Sequence, residues 1–255
     1  MVEYRASRIA DSSESLRRLY DTLLEHRCIR NIQRTQFYLS NLCSNIDFTD
    51  ARVLEVGGGS GMLSFYAACV GAKEVVCLEP ESAGSTSGVS KTFADIRERL
   101  ELRCRVELRS ETFQQFESEQ ARFDVLILHN SVNHLDETAC IALLKNKAAM
   151  ADYIALFEKL SGIAASGSKL LVADCSRHNI FALLGLKNPF EPTIEWHKHQ
   201  APQTWVRLLK KVGFRDPMVR WTSFSRLHAP GRLLLANRVA AFFLNSHFYF
   251  TMCKI

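Results

Sequence analysis

From residue 52 onward the chain keeps one rhythm. Short β-prone runs at Arg52–Val56, Glu74–Leu78, Arg105–Leu108, Phe123–Leu128 and Lys169–Ala173 alternate with stretches of helical spacing. The helical stretches are Met62–Cys69, closed by Gly71, then Val89–Leu100 and Glu137–Leu160. Strands that alternate with helices in this way must run parallel, and each connection lays a helix on a face of the sheet. Phe123–Leu128 is almost continuously apolar, as suits a strand covered on both faces. The end of the chain departs from the rhythm. A helix over Pro202–Val212 stops at Gly213, a sixth strand is expected over Met218–Phe224, a helix over Leu233–Phe243 and a last strand over Ser246–Lys254. The pattern predicts an α/β three-layer sandwich around a mostly parallel seven-stranded sheet, with an antiparallel C-terminal edge strand. Upstream, Leu16, Leu19, Leu23 and Leu24 recur at helical spacing within residues 12–42. Residues 1–50 therefore read as an N-terminal helical cap and 51–255 as the main domain.

Composition narrows the class. With 255 residues, 47% hydrophobic and 23% charged, the chain can build a substantial core. Its net charge of +5 is spread out. The densest basic group, Arg97, Arg99, Arg103, Arg105 and Arg109, is broken by Glu98, Glu101 and Glu107, which reads as a solvated face and speaks against a nucleic-acid partner. None of the eight cysteines forms a CxxC pair, and several sit in apolar runs, as Cys77 does. That usage points to free thiols in a reducing compartment and gives no reason to infer a metal. The N-terminus lacks the apolar stretch of a secretory signal, and Val239–Leu244 is too short to span a membrane. A cytoplasmic enzyme is the expectation.

The most informative segment is Glu55-Val56-Gly57-Gly58-Gly59-Ser60-Gly61, where the first strand meets the first helix of the alternation. Glycines there permit a tight turn and a close approach of ligand to main chain. The helix that follows offers free N–H groups at the carboxyl edge of the sheet, where ligands of open α/β folds bind. A dinucleotide fingerprint would need glycine at position 62, where Met62 stands, and a P-loop would need a lysine after Gly61. Both patterns fail.

The segment instead matches E/D-x-G-x-G-x-G through Glu55, Gly57, Gly59 and Gly61. It resembles the first motif of class I S-adenosylmethionine-dependent methyltransferases. A second element is in register with it: Glu79, followed by Pro80, ends the second strand, and a carboxylate there can accept both ribose hydroxyls. The resemblance implies S-adenosyl-L-methionine as cofactor, bound by Glu55, Gly57, Gly58, Gly59 and Gly61 of the first motif and by Glu79 and Pro80, with Glu79 as the ribose-binding acid. It also implies Glu111, after the third strand, as the residue that meets adenine, although the usual Gly-Asp-Ala wording is absent. The segment His129-Asn130-Ser131-Val132-Asn133-His134 resembles the post-strand segment that lines the methionine end, with Asn130 among its early residues. The likeness is clear over residues 51–176 and weaker beyond.

Methyl transfer asks the protein to bind, orient and exclude water, and a hydroxyl acceptor also needs a base. His134 is the candidate base and His129 the alternative. The connection 177–201 is long for its place and carries Trp196, His197 and His199 beside Phe181 and Phe190, a mixture suited to a lid or acceptor loop. Metal-dependent catechol-type members place Asp-Asn after the fifth strand, whereas Asp174-Cys175 stands here, so no metal is inferred. The N-terminal helices, with Tyr4, Tyr20, Phe37 and Tyr38, are expected to cover the cofactor cleft or to form a homodimer contact. The leading expectation is methylation of a small-molecule acceptor, at oxygen. The alternatives are a protein or nucleic-acid methyltransferase, which would lack the [DNS]-P-P-[YFW] tetrapeptide of amino-methylating DNA enzymes, and a non-catalytic cofactor-binding regulator.

Overall fold

The structure is a computed structural model that describes residues 2–81, 87–118 and 122–255, with the side chains of residues 2–11 left out. Tyr4 lies among those side chains. The strands are β1 (Arg52–Val56), β2 (Glu74–Leu78), β3 (Arg105–Arg109), β4 (Phe123–His129), β5 (Ala164–Cys175), β6 (Phe214–Trp221) and β7 (His247–Lys254). They form one mixed sheet in the order β3-β2-β1-β4-β5-β7-β6. Two compact units divide the chain, residues 1–127 and 128–255.

In the first unit β1 pairs in parallel with β2, from Arg52 opposite Glu74 to Val56 opposite Leu78, and β2 pairs in parallel with β3. The crossovers are helices α3 (Met62–Cys69) and α4 (Val89–Arg99). Val53, Leu54, Val75, Cys77 and Leu78 are fully buried beside Phe65 of α3 and Phe93 of α4, whose rings meet at 4.6 Å. The N-terminal helices are α1 (Val2–Glu25) and α2 (Ile32–Leu42), the latter capped by the Asn31 side chain. Helix α1 packs on α3 and α4 through Leu19, Tyr20 and Leu23, and the Cys69 thiol bonds to the Ser15 carbonyl. Tyr20 is thus a core residue of this unit, with its ring buried.

In the second unit the expected helix over 137–160 is two. The Asn146 side chain caps a new start, giving α5 (Glu137–Ala142) and α6 (Lys147–Ile163). Tyr153 and Phe157 of α6 pack against Trp205 of α8 (Pro202–Lys211), the first tilted and the second edge-on. The Tyr153 hydroxyl donates to the Val132 carbonyl at 3.0 Å, with the carbonyls of Asn133 and Asp136 at 3.2 Å, and so pins the segment that follows β4. The excursion between β5 and α8 contains α7 (Ile180–Leu183) and a short 3-10 turn at Trp196–Lys198. Helices α9 (His228–Leu235) and α10 (Arg238–Phe243) replace the single expected helix near the C-terminus, because Asn237 caps a fresh start.

The C-terminal strand is antiparallel, as expected, but β7 sits one place in from the edge, pairing with β5 on one side and β6 on the other. Its nearly continuous burial suits an interior place, whereas most of β6 is exposed. A bulge between Arg215 and Met218 puts Asp216, at φ 54°, and Pro217 into β6. Proline cannot donate to a ladder and is at home on an outer strand.

Candidate cofactor turn and the cluster after β5

The glycine turn is wired from behind. Gly57 and Gly58 donate to the Leu78 carbonyl, and Gly61 donates to Gly58. Three glycines, at 57, 59 and 61, hold φ between 55° and 82°, a region in which side chains are strained. The spaces at the glycines differ. A Cβ on Gly58 would lie 2.4 Å from the Cys77 sulfur, and one on Gly61 would lie 2.5 Å from the Phe93 ring. At Gly59 nothing stands within 4 Å. Gly58 and Gly61 are therefore required by packing, while the face at Gly59 is open to a ligand.

Two carboxylates serve this turn differently. Glu55 is buried, and its Oε2 accepts from the Ser64 amide at 2.8 Å and the Ser64 hydroxyl at 2.5 Å. Burial pushes its pKa up to about 7, against the two Ser64 bonds that pull it down. Glu55 therefore holds the turn against α3 and does not reach outward. Glu79 accepts from the Gly59 amide through Oε2 at 2.8 Å, placing a carboxylate beside the open glycine. Pro80, next to it, is exposed. Glu111 is half-buried, with its Oε1 3.8 Å from the Arg109 guanidinium.

In the second unit the chain leaves β4 through Asn130, at φ 54°, whose amide donates to the Ala173 carbonyl. His129 is half-buried, and burial with the nearby His247 brings its pKa down to about 4. His134 is exposed in the turn before α5, with Nδ1 2.5 Å from Glu137 Oε1, and Glu137 also meets Lys198.

The residues of the 177–201 excursion do not act as one group. Trp196 and His197 line a cavity, with His197 exposed, while His199 reaches back to β5. His199 Nδ1 lies 2.9 Å from Asp174 Oδ1, which also accepts from the Cys175 amide at 2.7 Å. Asp174 is buried, and its Oδ2 has no partner. Asp174, Cys175 and His199 bring potential ligand atoms within 4.8 Å of one another, a cluster that the sequence reading, which inferred no metal, did not assemble. Burial pushes the Cys175 thiol well up, so its sulfur is held protonated. Asp174 is the residue that sequence reasoning undervalued. The available signal was a carboxylate ending the apolar run Leu170–Ala173.

No family model and no curated protein matches the sequence. The fold, however, has many solved counterparts. One, described as an S-adenosylmethionine-dependent methyltransferase from Listeria monocytogenes, superposes with a TM-score of 0.58 at 13% identity, covering 87% of this chain and 99% of that one. A methyltransferase of the same dependence from Aquifex aeolicus gives 0.57 at 12% identity, over 84% and 88% of the two chains. The [4+2]-cyclase SpnF gives 0.57 at 15% identity, over 88% and 83%. A fold that carries both a methyltransferase and a cyclase fixes architecture and leaves the reaction to the site. The chain has the class I S-adenosylmethionine-dependent methyltransferase fold.

Proposed function

We propose that this chain binds S-adenosyl-L-methionine at the 57–61 turn and passes its methyl group to a small-molecule acceptor, at oxygen. The observation that carries this reading is the pairing of an open glycine with a carboxylate: the Gly59 amide on Glu79 Oε2, with no atom where a Cβ would stand. Bound there, S-adenosylmethionine supplies a methyl on a sulfonium, a group ready for in-line displacement. Glu79 would exchange its bond to Gly59 for the ribose hydroxyls, with Pro80 bounding the site. Glu111 would meet adenine and Asn130 the methionine end. Glu55 acts as a positioning residue through Ser64. Residues 1–50 serve as a helical cap and the 177–201 excursion as the acceptor side, where Trp196, His197 and His199 would contact substrate.

For the acceptor proton, His134 is the proposed base. Glu137 on Nδ1 fixes the ring and leaves Nε2 to act, the arrangement a general base needs. His129, held neutral by burial, is the alternative.

Calorimetric titration of S-adenosylmethionine tests the cofactor half. Gly59→Leu is expected to weaken binding at least 100-fold in a protein that still unfolds cooperatively. Unchanged affinity would remove the turn from the site. For the transfer half, acceptors are screened against radiolabelled cofactor. With the acceptor found, His134→Ala is expected to lower turnover by about 10²–10⁴-fold. A few-fold loss would make His134 structural.

A further inference from the structure

The second unit contains a cavity of about 550 Å³ between the 177–197 segment and Phe242 of α10. That volume is in the range of small-molecule sites. Two cations line it, Arg177 and Lys187, and neither has an ion-pair partner among the described residues. The one acid on its wall, Glu195, is already paired with Lys198 at 2.8 Å. Among the described residues nothing answers these two charges, and the cavity is electropositive. Arg238 adds to the field, since burial, Arg177 and Arg238 together lower the His178 pKa.

A second observation points the same way. Asn179 is 1% exposed and lines the cavity. Its Oδ1 accepts from the Ala182 amide at 2.9 Å, which fixes the amide plane and assigns Nδ2 as the free end. Nδ2 has no partner. A buried donor left unmade is costly, about 1–3 kcal/mol, and an oxygen acceptor that reached it through a small opening of the cavity wall would remove that cost. The remaining wall is apolar. Trp196 and Phe242 contribute rings, and Leu183 and Leu186 stand 77% and 56% exposed. Apolar side chains held in water beside an electropositive cavity fit a ligand with two unlike ends.

We propose that this cavity binds a small amphipathic oxyanion. Arg177, Lys187 and Asn179 Nδ2 take its carboxylate or phosphate head, and Trp196, Phe242, Leu183 and Leu186 cover its apolar body. Identifying this ligand with the methyl acceptor rests on the proposed transfer reaction; the binding itself does not.

Calorimetry on the full chain tests the proposal with decanoate and decyl phosphate, with 1-decanol as the body without charge and with acetate and inorganic phosphate as heads without a body. One of the two anionic amphiphiles is expected to bind with one-to-one stoichiometry at least tenfold more tightly than decanol and than its bare head, and the better one names the head group. Arg177→Gln with Lys187→Gln is expected to weaken that binding at least tenfold with the thermal midpoint unchanged. Should the double variant unfold, Lys187→Gln alone, at an exposed position, is expected to lose about threefold. Equal binding of decanol, binding indifferent to the Lys187 substitution, or no binding by either amphiphile would overturn the proposal. S-adenosylmethionine titrated into the same samples keeps the two readings apart: loss of its binding with the amphiphile retained sinks the cofactor reading, and the reverse sinks only this one.

Discussion

The glycine turn and the region around the end of β5 are both built on buried carboxylates at the carboxyl ends of strands, yet they are finished to different degrees. At the turn, Glu55 is met by the amide and hydroxyl of Ser64, and Glu79 by Gly59. Around β5, Asp174 Oδ2, Asn179 Nδ2, Gln200 Oε1 and His247 Nδ1 are all buried without a partner. In the first unit the His26 Nε2 is the one comparable atom among the described residues. Buried polar groups are nearly always paired, with protein or with ordered water, so a concentration of atoms without a protein partner sets the region after β5 apart from the turn. The turn is preorganised against its own backbone. The region after β5 leaves several buried polar atoms without a partner from the protein.

That contrast can be broken at each of its two sides, beginning with the turn. Gly61→Ala is expected to be the most damaging single change. It combines left-handed strain, about 1–2 kcal/mol, with overpacking against Phe93, about 1–3 kcal/mol. Gly59→Ala carries the strain alone and should lose about 1–2 kcal/mol. Urea unfolding measures both, and equal losses would mean that the open face at Gly59 is not open.

Asp174→Ala is expected to cost about 3 kcal/mol, because it strands the His199 ring and the Cys175 amide in a buried site. If S-adenosylmethionine affinity also stays within a few-fold of the parent, the two regions are energetically separate. A parallel collapse of cofactor binding would erase the distinction.

The most gradual effect is a slope. Glu55 titrates near 7 in the folded chain and near 4.5 when unfolded, so the folded state holds the proton longer. Stability is then highest below pH 4.5 for this group and falls as pH rises toward 7, by at most about 3 kcal/mol, with no further change above. Glu55→Gln should flatten the thermal midpoint between pH 5 and 7.5 relative to the parent. A parent midpoint already flat over that window would show that Ser64 outweighs burial.

How far the sequence could be read follows the same division. The runs Arg52–Val56, Met62–Cys69 and Glu74–Leu78 fold with the boundaries that their patterning implied, because local preference and tertiary burial agree there. The interruption at Asn146 was hidden in an otherwise helical spacing, and only its cap reveals it. Strand β6 begins at Phe214, four residues before the expected start, because a bulge at Asp216 and Pro217 breaks the alternation that marks a strand. The glycine turn could be read since its parts are adjacent in the chain or end neighbouring strands. The pairing of Asp174 with His199 spans 25 residues of irregular chain, and no spacing rule connects them. The same holds for Arg177, Asn179 and Phe242, which share one cavity wall from places that no motif links.

The bulge in β6 also bears on how copies of this chain could associate. An outer strand is a template for a neighbour's strand only if it offers an unbroken row of amides and carbonyls. Here Pro217 has no amide to offer, and Asp216 turns the backbone into a left-handed conformation beside it. A homodimer built by continuing the sheet past β6 would meet a gap in the middle of its seam. Strand pairing at this edge is therefore disfavoured, and that rim stays blunt to strand-on-strand growth.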